Sequence, residues 1–137
     1  MNKIFSAALI LCSIGIFFSC NNNQNNLKVL QKQTEDMHDE AMKDLGGMNR
    51  ISRNLQKELA HIDSLHQTSP RRDSILETIR IMHKAEDDMM AWMAQYQAAD
   101  QLPAKEALDY MTKQKNDIEK NRNDIKEAMQ RGKALAR

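Results

Sequence analysis

Residues 27 to 66 read LKVLQKQTEDMHDEAMKDLGGMNRISRNLQKELAHIDSLH. Leu27, Leu30, Thr34, Met37, Ala41, Leu45, Met48, Ser52, Leu55, Leu59, Ile62 and His66 recur there in steps of three and four. At 3.6 residues per turn such positions fall on one stripe, the mark of a long amphipathic helix. Such a helix spans roughly 60 Å at about 1.5 Å per residue, and its stripe can be buried only against partner helices. Gly46-Gly47 interrupts it at a cost of about 1 kcal/mol per glycine relative to alanine, which predicts a kink or the close approach of another helix.

Downstream, Thr68-Ser69-Pro70 closes the first helix, expected at about 27–67, and opens the second. Ser69 suits an N-cap and Pro70 the first helical position, with Ser74 and Glu77 offering a second capping box. Ile75, Ile79, Met82, Glu86, Met89, Met93 and Tyr96 continue the rhythm over a second helix at about 70–99. Asp100 to Pro103 breaks it, and a third helix at about 103–135 carries Leu108, Met111, Ile118, Ile125 and Gly132, with Ala128, Met129 and Leu135 beside them. The third helix is polar between Thr112 and Glu127, so thin cover of the hairpin is expected. Short connections make antiparallel neighbours, and the fold class is all-α: an elongated antiparallel up-down-up three-helix bundle over residues 27–137.

Upstream, Lys3 precedes an apolar run from Ile4 to Phe18 and then Ser19-Cys20. That order is a secretory signal peptide, residues 1–19, and the run is short for a membrane span. Ser19-Cys20 resembles a bacterial lipobox, with Phe17 where leucine is usual, so Cys20 is the expected lipidation site and a palmitate-type acyl chain the expected anchor. An ordinary secreted protein cut near Ser19 is the alternative. Asn21 to Asn26, NNNQNN, offers nothing apolar to bury, and residues 20–26 read as a flexible tether.

Cleavage before Cys20 removes all three phenylalanines and Lys3, leaving no net charge and only Trp92, Tyr96 and Tyr110 as aromatic residues. A core of Leu, Ile, Met and Ala suits helices rather than strands. Without a basic block, nucleic acid is not an expected partner. No nucleophile elbow, phosphate loop or HExxH motif is present, so the protein is not expected to be an enzyme.

Residues 85 to 96, AEDDMMAWMAQY, concentrate methionine beside the single tryptophan. Hairpin geometry with a turn near Ser69 places Met42 opposite Tyr96, Leu45 opposite Met93, and Met48 or Asn49 opposite Met89. A second turn near Gln101 places Tyr110 and Met111 beside Trp92 and Met93. Methionine at this spacing is ordinary core packing, since its thioether fills gaps against aromatic rings. Outside the cytoplasm, however, thioether and imidazole are the soft donors left for Cu(I) or Ag(I), and Met89, Met93, Met42, His38 and Met111 form the candidate set. Glu35-x-x-His38 and Glu58-x-x-His61 have di-iron spacing, but both sit on one helix about 34 Å apart, where such a site needs facing helices.

His38-Asp39-Glu40-Ala41-Met42 (HDExM) and Met89-Met90-Ala91-Trp92-Met93 (MMxWM), following a lipobox, resemble small Bacteroidota lipoproteins often labelled "viral A-type inclusion protein". The resemblance covers nearly all of the chain after Cys20. It implies that the two motifs, with Asp39, Glu40, Met90, Trp92 and Tyr96, pair across the hairpin as a shared packing design, and it implies no catalytic residue. Lys43 stands where family members often have proline, so the first helix should run on to Gly46. The expectation is a non-enzymatic, lipid-anchored scaffold or interaction module of the cell envelope, on the outer membrane, with an envelope protein as partner. A Met-rich Cu(I) or Ag(I) binder and a periplasmic holdase chaperone are the alternatives.

Overall fold

The computed structural model describes Gly15 to Ala136 apart from Gln67 and Ala98, with side chains from Gln24 onward other than that of Ala104. Residues 1–14 of the expected signal peptide, and the side chain of Cys20, lie outside the described residues. Three α-helices follow one another: α1 Gly15–Ser64, α2 Pro70–Gln95 and α3 Ala104–Leu135, with a 3-10 turn at Ala99–Gln101. Among the described residues there is no strand, and no helix is long and apolar enough to cross a membrane. The protein is an all-α three-helix bundle.

Three boundaries differ from expectation, one of them the end of α2 at Gln95 rather than about 99. The stretch 20–26 is helical rather than a tether, because no proline or glycine lies between Gly15 and Gly46 to stop a helix already propagating from its packed half. At its other end α1 stops at Ser64, and His66 reverses the chain in the left-handed region at φ 51°. Ser69 caps α2 as expected, its hydroxyl accepting from Arg72 N at 3.2 Å with Pro70 following. Ser74 makes no second cap: its hydroxyl donates back to Pro70 O at 2.8 Å, inside the helix.

The α1 stripe is buried as expected from Thr34 through Leu55, apart from a half-buried Met37, and half-buried at both ends, except that His66 is exposed in the turn. On α2 the stripe passes through Ala85 rather than Glu86, whose carboxylate reaches sideways to accept from Asn49 Nδ2 at 3.0 Å. On α3 it runs through Ala107, Met111, Gln114, Ile118, Asn121, Ile125, Ala128 and Gly132 without a gap. The cover is therefore not thin: Gln114 and Asn121 hold stripe positions that polarity alone assigns to solvent, and α1 against α3 is the most extensive seam. Small residues make that seam close. A Cβ on Gly132 would lie 2.7 Å from Ile51 Cγ2 and would overlap Met82 Cε, and one on Gly47 would lie 3.4 Å from Met129 Sδ. The tight approach is at Gly132 on α3; at Gly47 a Cβ would make ordinary contact and at Gly46 it would meet nothing within 4 Å, and α1 runs through both glycines unbroken.

The register between helices also differs. His38 meets Met93, Asn49 meets Glu86, Gln56 meets His83 at 3.2 Å and Asp63 meets Arg72 at 2.6 Å. Gln56 against His83 keeps the expected height, whereas Met93, expected opposite Leu45, is touched by His38 two turns earlier on α1. The second connection displaces α3 further. Tyr96 (φ −68°, ψ 129°) and Pro103 (φ −53°, ψ 142°) are extended, so the chain travels along the bundle before α3 begins. Trp92 consequently shares a surface with Asp117 and Asn121, while Tyr110 Oη accepts from Gln97 N at 2.7 Å and Met111 packs with Ala99 and Ala107.

Candidate functional site

Between α1 and the last turns of α2 lies an open groove of about 390 Å³. Thr34, Glu35, His38 and Asp39 line it from α1, and Trp92, Met93 and Tyr96 from α2 and its C-terminal cap. Four-residue spacing stacks Trp92 on Tyr96, ring centroids 5.0 Å apart and tilted by 36°. Across the seam His38 stacks on Trp92 at 5.8 Å and 30°. Offset aromatic contacts of this kind add about 0.5–1.5 kcal/mol beyond area burial and fix the ring planes. The indole Nε1 is buried and has no hydrogen-bond partner.

His38 is the polar centre of the groove. Its Nε2 lies 3.3 Å from Met93 Sδ and its Nδ1 3.1 Å from Asp39 Oδ1. Thr34 is fully buried, and its hydroxyl donates to Leu30 O at 2.8 Å. Burial, with the Glu35 carboxylate and Tyr110 adding to it, pushes the Tyr96 phenol above its ordinary range, so the ring stays neutral.

The five soft-metal candidates do not converge as one set. His38 and Met93 touch, and Met42 and Met93 pack on the core cluster that contains Met89. Met89 itself is 0% exposed, part of the packed interior. Met111 belongs to the separate cluster around Ala99 and Ala107, carried there by the displacement of α3. Groups of three or more His, Cys, Asp or Glu side chains placed to hold a metal are absent among the described residues. Glu58 of the second ExxH pair is engaged by Arg71 Nε at 2.6 Å.

Of the other motif residues, Met90 points outward and Asp39 is largely solvated. Glu40 turns away from the groove to α3, where Lys126 and Arg122 donate to its two oxygens and hold its carboxyl below the usual range. HDExM therefore faces two partners, His38 toward α2 and Glu40 toward α3. Sequence reasoning missed the Glu40 cluster, although Arg122 and Lys126 stand four apart as neighbours on one helix face. It also missed the stack of His38, Trp92 and Tyr96, whose signal was the four-residue spacing of the two α2 aromatics.

Neither a protein-family model, nor a curated protein, nor a solved structure matches the chain.

Proposed function

We infer that the chain is a non-catalytic helical module of the cell envelope, held to a membrane by a lipid on Cys20. The carrying observation is the order Lys3, apolar Ile4 to Phe18, Ser19-Cys20 and then a helical bundle. The resemblance of HDExM and MMxWM to small Bacteroidota lipoproteins supports the same reading. So does the position of the groove: His38 follows Cys20 by about 27 Å of helix, on the anchored end of the bundle rather than at its far turn.

Absence of catalysis is supported by the groove's own groups. Thr34, the hydroxyl beside the imidazole, is committed to the Leu30 carbonyl. A holdase role draws less support, because Met48, Met82, Met89 and Met111 are fully buried and Met90 is the exposed member of the methionine set.

Growth on radiolabelled palmitate tests the anchor. Label is expected in the wild-type protein and not in Cys20→Ala, with Cys20→Ala moving from the membrane to the soluble fraction. Unlabelled wild type, or Cys20→Ala that still sediments with membranes, overturns it.

A further inference from the structure

The groove between α1 and α2 carries negative charge that the chain itself leaves unmatched. Glu35 and Asp39 stand four residues apart on α1, as neighbours on one face, and both line it. The carboxylates beside them in sequence face elsewhere and are neutralised: Lys32 donates to Asp36, and Arg122 and Lys126 donate to Glu40. Among the described residues no Lys or Arg lies within ion-pair distance of Glu35 or Asp39. Glu35 accepts one hydrogen bond, at Oε1 from Gln31 Nε2 at 3.0 Å, and Asp39 makes one contact, at Oδ1 with His38 Nδ1 at 3.1 Å. Each therefore keeps a second oxygen without a protein donor. No Lys or Arg lines the groove, and the opposite wall is the half-buried Trp92, Met93 and Tyr96.

Carboxylates beside aromatic rings recognise an organic cation, because the ring quadrupole attracts positive charge and the carboxylates match it. A guanidinium suits this groove better than an ammonium: it is planar, stacks on rings, and carries its donors in a fork that reaches two separate oxygens. The groove is open and, at about 390 Å³, near the small end of ligand sites. A free small molecule is normally buried over most of its surface, whereas an open groove of this size suits one long side chain whose backbone stays outside. We propose that the groove receives an arginine side chain from a partner protein, its guanidinium set against Trp92 and Tyr96 and paired with Glu35 and Asp39. The proposal rests on the reading of the chain as an interaction module and gives that module a contact chemistry, but it does not depend on the lipid at Cys20.

Trp92 is the only tryptophan in the chain, so its indole N–H resonance reports on the groove. The test titrates the isotope-labelled full chain in detergent with short blocked glycine peptides that carry one central arginine, lysine or citrulline, the last having the shape of arginine without its charge. The arginine peptide should shift the indole resonance saturably, and the citrulline peptide should bind about tenfold more weakly, the worth of two exposed ion pairs. Glu35→Gln combined with Asp39→Asn should weaken the arginine peptide by about the same factor with circular dichroism unchanged, since both side chains are exposed. Glu77→Gln combined with Glu127→Gln removes equal charge at exposed positions outside the groove and should leave the affinity unchanged. No saturable shift, citrulline or lysine peptide binding as tightly as arginine, or full affinity in the Glu35→Gln, Asp39→Asn variant each overturns the proposal. Palmitate labelling of Cys20 is read separately, so the anchor and the groove fail independently.

Discussion

The two ends of the bundle are built on different principles. At the end near the α1–α2 turn, Leu55, Ile75, Ile79 and Met82 are buried against α3, and Gly132 lets Ile51 and Met82 close over it. At the other end Thr34, His38, Trp92, Met93 and Tyr96 line a groove between α1 and α2. The difference lies in the connections. The first connection turns at Leu65 and His66 and reaches the Ser69 cap, whereas in the second Tyr96 and Pro103 are extended on either side of the 3-10 turn Ala99–Gln101. One end is specified by complementary volume, the other by polar and aromatic groups that leave room for a ligand.

Truncation should separate the ends most strongly. Ile75→Ala removes a fully buried side chain and should cost about 2–5 kcal/mol in denaturant unfolding, the range for large-to-small core changes. Met93→Ala, half-exposed at the groove, should cost only about 1 kcal/mol, because part of that side chain already meets water. Equal losses would mean that the groove end is as tightly packed as the closed end.

Glycine substitutions sharpen the same contrast on a smaller scale. Gly132→Ala forces a Cβ into Ile51 and Met82, and overpacking of about 1–3 kcal/mol should exceed the gain of about 1 kcal/mol in helix propensity. Gly46→Ala meets nothing within 4 Å and should stabilise by up to about 1 kcal/mol. Thermal midpoints that move in opposite directions for the two variants are the expected result.

The smallest effect belongs to Glu40, the bridge from the groove motif to α3. Its folded-state carboxyl lies below its ordinary 4.5, so the stability it adds is present above that value and disappears as pH falls through the lowered one. Glu40→Gln should therefore lose a little stability at about pH 7 and almost none at about pH 3, flattening the acid limb of the unfolding curve. An unchanged acid limb would show that Lys126 and Arg122 add nothing beyond solvated contacts.

Sequence by itself determined the helices and most of the core. The three-four rhythm is a local property, so Ala41, Leu45, Met48, Leu55, Ile75, Met82, Ile118 and Ile125 could be assigned to the interior without knowing their partners, and Ser69-Pro70 marked a helix start. Polarity keeps Gln114 and Asn121 off the expected α3 stripe, although each stands three residues after a stripe position, and the neighbouring helices cover them.

The methionine candidates divide along that line. Sequence placed His38, Met42, Met89, Met93 and Met111 on packing faces, and tertiary structure chose among them. It put His38 against Met93, left Met89 in the core, and carried Met111 away with α3. Register between helices depends on where each helix stops and how the chain travels to the next. Here it turned on the extended backbone of Tyr96 and Pro103. Those features have little periodic signal, because a connection is shaped by what its ends pack against rather than by a repeating face.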